Sequence, residues 1–303
     1  MAAAHPFIAC EPYPLSGRRI AAVLNPASGG VDPSCEALTR EILAEAGAAG
    51  VTVTCADPQS IAQALERAAA EAEVLVVLGG DGTLRAAAER CGAEGPALLP
   101  LPGGTMNVLA RALYGPRPWP EVLRAVLPQP GIANLSGGRA GGRLFLISAL
   151  IGVPSRWVRA REALRRGRLV EASAWVREAV SRPLPEPVSY DFGRGERGTA
   201  RALAIRCPLT SRALAAEAQV LEAAAIDPSS AAEAASLGME ALFGRWREHP
   251  AVAVAETTAI TVERTGGAPA LLDGEEERLK TPLRITFKPK AVRVLLPPGP
   301  LGG

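Results

Sequence analysis

Histidine is almost absent from this chain. His5 and His249 are the only two among 303 residues, the second standing directly before a proline, so a histidine-based mechanism is not expected. No sign of charge dominates either: 33 Lys+Arg against 31 Asp+Glu leave a formal net charge of +2. That balance argues against a dedicated nucleic-acid binder and directs attention to small molecules. Cysteine is sparse and scattered. Cys10, Cys35, Cys55, Cys91 and Cys207 show none of the close pairs of metal sites or disulfide frameworks, and they read as reduced thiols in a cytoplasmic setting. Cys55 and Cys91, at element ends, are expected to be small buried hydrophobes. Long apolar runs are missing as well. None approaches the roughly 20 residues a membrane helix requires, and the N-terminus lacks the features of a secretory signal. No Walker-type Gly-x-x-x-x-Gly-Lys-Ser/Thr sequence is present, so phosphate binding, if any, must be built differently.

What the chain does have is apolar strands that end in glycine. Val74-Leu-Val-Val-Leu78 runs directly into Gly79-Gly80-Asp81-Gly82-Thr83, and a helix-forming stretch follows. Valine-rich apolar runs fit a buried parallel strand, and glycines allow a close backbone approach to a ligand. The first amides of the next helix lack internal partners, so the turn is suited to an anion. Two further turns repeat the design. Arg19 to Leu24 ends in Asn25-Pro26-Ala27-Ser28-Gly29-Gly30, and Ala97 to Leu101 ends in Pro102-Gly103-Gly104-Thr105-Met106-Asn107. In an open parallel sheet such turns gather at the carboxyl edge, where ligands bind.

Strands expected at 19–24, 51–55, 74–78 and 97–101 alternate with helices near 34–48, 59–72, 83–92 and 105–113. That alternation is the mark of a parallel sheet with crossover helices. A further helix from Trp119 to Leu127 is bracketed by prolines, and Pro128-Gln129-Pro130-Gly131 sets a domain boundary. Beyond it the runs are shorter and strand-like: 132–135, 143–150, 188–192, 201–207, 252–263, 270–272, 283–288 and 292–296, with helical insertions at 155–181 and 229–246. The expected organisation is a loose leader over 1–17, an α/β nucleotide-binding domain over 18–128, a β-rich domain over 129–290, and a tail at 291–303 returning toward the first domain. With 48% apolar residues the chain can fill two cores.

Asn25-Pro-Ala-Ser-Gly29, Gly79-Gly-Asp-Gly-Thr83, Pro102-Gly-Gly-Thr-Met-Asn107 with Ala110-Arg111, and the distant Leu272-Asp273-Gly274-Glu275 resemble, in order and spacing, the diacylglycerol kinase catalytic family, whose bacterial branch is related to sphingosine and ceramide kinases. The Gly-Gly-Asp-Gly-Thr piece is shared with nicotinamide dinucleotide kinases, and the other two pieces favour the lipid kinases. The resemblance implies a parallel-sheet α/β domain of the NAD kinase/diacylglycerol kinase type, a sandwich-like β domain, and transfer of the γ-phosphoryl group of ATP to a lipid hydroxyl. Nucleotide contacts would come from Asn25, Pro26, Ala27, Ser28, Gly29, Thr54, Gly79, Gly80, Asp81, Gly82, Thr83, Gly104, Thr105 and Asn107. Glu275 falls at the family's general-base position. Asp81 is the second carboxylate, either a ligand to the Mg2+ on ATP or a group near the acceptor hydroxyl.

The chain departs from the family pattern at several points. Arg85-Ala86 stands where relatives carry a residue and then Asn-Glu, Asn134 where an aspartate is common, Gly152-Val-Pro-Ser155 in place of Gly-Phe-Asp-Ala, and Glu217-Ala-Gln-Val-Leu221 where an Asp-Asp-Gly metal-binding turn is usual. A structural metal site is not expected, and the Arg85 guanidinium is placed to supply charge toward phosphate. Two accounts fit these changes: a divergent acceptor specificity, or a chain that binds nucleotide and transfers phosphate poorly. A nicotinamide dinucleotide kinase and a non-catalytic nucleotide- or lipid-sensing module are the alternative readings. Ser155 to Arg182 holds eight arginines against three glutamates together with Trp157 and Trp175, a composition suited to peripheral contact with anionic lipid or to packing on the β domain. A homodimer is compatible with the sequence.

Overall fold

The computed structural model describes residues 10–298 apart from 33, 49, 153–183, 231–232, 235, 238–239 and 241–244. The chain divides into two units. One comprises Met1–Gly137, Ala215–Glu217 and Lys288–Gly303, the other Gly138–Leu214 and Ala218–Phe287.

The first unit contains β1 (Glu11–Pro12), β2 (Ile20–Leu24), α1 (Cys35–Glu45), β3 (Thr52–Cys55), α2 (Ile61–Glu71), β4 (Val74–Gly79), α3 (Asp81–Cys91), β5 (Ala97–Pro102), α4 (Val108–Tyr114), α5 (Trp119–Val126) and the start of β6 (Gly131–Ala140). Its sheet is parallel, as the alternation of elements predicts: β5, β4, β2 and β3 lie side by side, and the last strand of the chain joins beyond β5. All residues of β2 and β4 are buried, which is why both read as unbroken apolar runs. The helices cover the sheet through helical-period stripes: Cys35, Thr39, Ile42 and Leu43 on α1, and Leu84, Ala87, Ala88 and Cys91 on α3. Buried Tyr114 donates its hydroxyl to the carbonyl of Leu295 at 2.8 Å, fastening the last strand. Near the N-terminus, β1 pairs antiparallel with β6, Tyr13 N–H donates to Pro130 O at 2.8 Å, and the Arg18 guanidinium lies 3.9 Å from the Tyr13 ring centre. All five cysteines are free thiols. Cys91 is buried as expected, whereas Cys55 is exposed, because β3 is the edge of the sheet.

The second unit contains the end of β6, then β7 (Arg143–Phe145), β8 (Ser148–Ile151), β9 (Val188–Asp191), β10 (Arg197–Ala200), β11 (Ala202–Arg206), β12 (Leu221–Ile226), β13 (Val252–Thr257), β14 (Ala259–Glu263), β15 (Ala268–Leu272), β16 (Glu275–Leu279) and residues 283–287 of β17 (Leu283–Leu296). One antiparallel sheet runs β13-β12-β11-β8-β15-β16, and a second set of antiparallel pairings runs β10-β9-β14-β17. Both contribute to one apolar cluster. Ala149, Ile151, Leu203, Ile205, Ala223 and Leu272 come from the first, and Val188, Ile260, Val262, Leu283 and Ile285 from the second. Two sheets sharing an interior is the sandwich arrangement.

Several boundaries move for local reasons. The strand expected over 143–150 is cut at Leu146 and Ile147, whose amides turn onto the Asp273 carboxylate. The runs 283–288 and 292–296 form one strand that carries Pro289 through an exposed stretch. The 155–181 insertion lies outside the described residues, and so does part of the 229–246 insertion.

One buried charge ties the second unit together. Glu222 on β12 is 1% exposed and accepts hydrogen bonds from Arg247 Nε, from Arg247 Nη2 at 2.9 Å, and from the Ser211 hydroxyl. Trp246 lies beside both Arg247 and Arg206, at 4.6 and 5.3 Å from ring centre to Cζ. Burial pushes the carboxyl up, but the bonds from Arg247 and Ser211 and the nearby Arg206 outweigh it, so the group is held below its ordinary 4.5. A carboxylate depressed on folding stabilises the native state above its unfolded value, and that contribution is lost as pH falls through the folded value. The melting temperature is therefore expected to drop below pH 4.5, and Glu222→Gln should flatten that drop in a pH series of thermal melts. An unchanged slope would show that this pair does not set the acid limit.

Candidate functional site

The three glycine turns follow β2, β4 and β5, which are adjacent in the sheet, so they emerge together at its carboxyl edge. They also touch. Gly30 N–H donates to Gly103 O at 3.0 Å, Gly103 N–H to Gly79 O at 2.9 Å, and Asn25 N–H to Leu78 O at 2.8 Å. Side chains could not occupy these positions. A Cβ on Gly79 would stand 2.8 Å from Thr83 Cβ, one on Gly103 would stand 2.9 Å from Gly79 N, and one on Gly104 would stand 2.6 Å from Gly80 Cα. The last contact is backbone against backbone, which cannot yield without moving a turn. Gly104→Ala is expected to destabilise the first unit by about 1–3 kcal/mol through overpacking. Denaturant unfolding measures it, and a change near zero would mean that the turns are not packed as described.

Helix α3 begins at Asp81 with Gly80 as its N-cap. Leu84 N–H is the first amide to close onto the preceding turn, at Gly80 O, which leaves the amides of Asp81, Gly82 and Thr83 at the helix start without an intrahelical acceptor. Together with the dipole of an eleven-residue helix they form a cradle suited to phosphate. Asn25 lies against it, 9% exposed. Its Nδ2 donates to Thr83 Oγ1 at 3.3 Å, while its Oδ1 is shut off from solvent with no hydrogen-bond partner. A buried acceptor without a donor costs about 1–3 kcal/mol, and a ligand hydroxyl or amino group would relieve that cost.

The other expected residues divide by position. Pro26, Ala27 and Gly29 form the exposed outer side of the first turn, Ser28 is half-buried, and Thr105 is exposed above Gly29. Asn107 is occupied within its own turn. It adopts left-handed backbone angles (φ 51°, ψ 43°), its Oδ1 accepts from Gly104 N–H at 2.7 Å, and its Nδ2 donates to Gly104 O at 2.8 Å. That conformation also delays α4 to Val108, three residues past the expected start. Asp81 is half-buried and its Oδ1 accepts from Leu109 N–H at 3.3 Å, joining the second turn to α4. Arg85 is half-buried on α3, and Thr54 is exposed on the edge strand opposite Val23.

Glu275 belongs to the second unit, exposed at the first position of β16 and opposite Leu272 on β15. Between them Asp273 (φ 51°) and Gly274 (φ 93°) make a two-residue hairpin turn, the geometry that Asp-Gly favours. Asp273 has a task that sequence reasoning did not assign. It is 8% exposed, and its carboxylate accepts from the amides of Leu146, Ile147 and Ser148 at 2.8, 2.9 and 3.0 Å. Gly103, which packs on Gly79 and Val31, also went unassigned, although its place between Pro102 and Gly104 marks it. Among the described residues no group of three or more His, Cys, Asp or Glu could hold a metal ion, and no helix is long and apolar enough to cross a membrane.

Residues 19–130, which carry all three turns, match the diacylglycerol kinase catalytic domain. The chain resembles that family. Solved structures extend the likeness to both units. A Bacillus anthracis str. Sterne protein bearing the provisional name diacylglycerol kinase is 19% identical with a TM-score of 0.71, the match covering 92% of this chain and 95% of that one. Another structure from the same strain, named as a diacylglycerol kinase, is 16% identical with a TM-score of 0.66 over 93% and 98% of the two chains. At these identities the structures establish a shared fold: a parallel α/β domain with a second, antiparallel β-rich domain. The catalytic-domain match spans the whole of residues 19–130, the glycine-lined edge included.

Proposed function

We propose that this protein is an ATP-dependent lipid kinase that moves the γ-phosphoryl group to a hydroxyl of diacylglycerol or a related lipid. The observation that carries the reading is the convergence of three glycine turns on one sheet edge, with helix-start amides and a buried, partnerless Asn25 oxygen beside them. Phosphoryl transfer asks little covalent chemistry of a protein and much positioning. The amides of Gly80 to Thr83 hold phosphate oxygens, Ser28 and Thr105 add hydroxyls, Asn25 Oδ1 accepts from the nucleotide, and Arg85 adds positive charge. Asp81 is the side chain that would hold the magnesium accompanying ATP, which when bound would supply positive charge toward the phosphates. Glu275 accepts the proton of the lipid hydroxyl as the new O–P bond forms and the bond from the γ-phosphorus to the β–γ bridging oxygen breaks, releasing ADP.

The family match over residues 19–130 and the resemblance of the Pro102–Asn107 and Asp273–Glu275 pieces to the lipid kinases support this reading over a nicotinamide dinucleotide kinase. The proposed place of work is the cytoplasmic side of a membrane, met peripherally through Ser155–Arg182, a segment outside the described residues. Incubation with γ-labelled ATP, magnesium, a mixed panel of lipids and nicotinamide dinucleotide tests it. Label in the organic phase is the expected result. Label confined to the dinucleotide, or saturable ATP binding without transfer to any acceptor, would overturn the proposal in favour of the dinucleotide kinase or a sensing module.

A further inference from the structure

Two thiols meet beside the glycine turns for a topological reason. Strand β3 runs parallel to β2 with Cys55 opposite Leu24, and the segment leaving Leu24 ends at Cys35, the first residue of α1. The end of β3 and the start of α1 therefore share the carboxyl edge of the sheet. The Cys55 Sγ donates to Glu36 Oε2 at 3.5 Å, which sets it against the first turn of α1 beside Cys35, and the two thiols influence each other's titration. Glu36 is in turn held by Arg40 Nη2 at 2.9 Å. The two cysteines differ in access: Cys35 is 1% exposed and Cys55 is open to solvent.

We propose that Cys35 and Cys55 are an oxidation-sensitive pair, with Cys55 the thiol attacked by a hydroperoxide and Cys35 the thiol that resolves it into a disulfide. In the first step the Cys55 sulfur attacks a peroxide oxygen, the O–O bond breaks, and sulfenic acid and one water form when the oxidant is hydrogen peroxide. In the second the Cys35 sulfur attacks the Cys55 sulfur, an S–S bond forms, and a second water leaves with the thiol proton. Proximity in the folded state spares the pair any search, and burial of Cys35 keeps the oxidant from reaching both sulfurs. The neighbourhood also sets a threshold. Burial, then the hydrogen bond and charge of Glu36, push the Cys55 thiol up to about 11, so the reduced form persists until oxidant is abundant. Asp32 adds a further negative charge toward Cys35. The bond would fasten the edge strand to the head of α1, the element entered from the Asn25–Gly30 turn.

The test treats the full-length protein with hydrogen peroxide, blocks remaining thiols and maps peptides without reduction. The expected product is a Cys35–Cys55 cross-link, lighter by two hydrogens and reversed by dithiothreitol. In Cys35→Ser, dimedone should trap Cys55 as sulfenic acid. In Cys55→Ser, an exposed change, Cys35 should stay unmodified at the same dose. Glu36→Gln should speed Cys55 oxidation, by roughly threefold for each pKa unit recovered, the gain in thiolate less its lower nucleophilicity. Wild-type Cys55 advancing to sulfinic or sulfonic acid without a cross-link, Cys35 pairing elsewhere, or no cross-link at any dose that leaves the protein folded would each overturn the proposal. This assay requires neither ATP nor lipid, so its outcome is independent of the proposed kinase activity.

Discussion

Replacing Glu275 by glutamine is expected to slow phosphoryl transfer by about 10²–10⁴-fold, the usual share of a positioned general base, while leaving ATP affinity unchanged. The structure makes this a clean substitution. Glu275 is exposed, and its backbone is held by pairing with Leu272 across the hairpin. An exposed carboxylate-to-amide change at such a position usually alters stability by no more than about 0.5 kcal/mol. Glutamine keeps the shape and the hydrogen-bonding reach but cannot take a proton from a lipid hydroxyl. Single-turnover rates with labelled ATP, beside an ATP dissociation constant for each protein, separate chemistry from binding. If the rate is unaltered, Glu275 is not the base, and Asp81, half-buried on the first unit, becomes the carboxylate to replace next.

Two residues earlier in the chain the expected effect falls on stability. Asp273→Ala removes the common acceptor of three backbone amides, those of Leu146, Ile147 and Ser148, in a place where Asp273 itself is 8% exposed. Each buried amide left without an acceptor costs about 1–3 kcal/mol. Partial relaxation and water entry reduce the sum, so a loss of about 3–5 kcal/mol is expected for the second unit. Such a loss is a large fraction of a typical domain stability of about 5–15 kcal/mol. Denaturant midpoints measure it, with Asp273→Asn expected to fall between wild type and alanine because its amide keeps one accepting oxygen. A cost below about 0.5 kcal/mol for the alanine variant would show that the 146–148 turn is held by other means. The neighbours Asp273 and Glu275 are thus separable: one variant unfolds the support, the other silences the proposed chemistry on an intact support.

The residues that could be read from the sequence are those whose constraint is local. Gly103 and Gly104 stand where backbone meets backbone with no room for a Cβ, and Gly79 stands against the Thr83 side chain, so the turns declared themselves. The buried strands β2 and β4 were equally plain, because a parallel strand covered on both faces is apolar throughout. What escaped depends on partners distant in the chain. Asp273 lies 126 residues from Ile147, whose amide it accepts, and nothing near either residue announces the contact. Strand β16 reads Glu-Glu-Glu-Arg-Leu and looks like a solvated turn. It is a strand because β15 pairs with it, and charge suits a sheet edge. Strand β12, with three consecutive alanines, carries little strand propensity of its own and is placed by β11 and β13 on either side. Cys55 was misjudged for a related reason: a strand-end thiol is buried or exposed according to whether a neighbour lies beyond it, and β3 has none in its sheet. At the site, Asn107 clasps Gly104 in a left-handed conformation that asparagine tolerates and that no periodicity reveals.

The central claim is that the glycine-lined edge of the first unit grips a triphosphate through its backbone amides. Amide chemical shifts recorded during a titration with ATP and magnesium test it most directly. The expected result is saturable shifts concentrated on Gly29, Gly80, Gly82, Thr83 and Thr105, with the Asn25 side-chain amide moving alongside them. Saturation with those amides unmoved, and the shifts gathered elsewhere in the chain, would contradict the account.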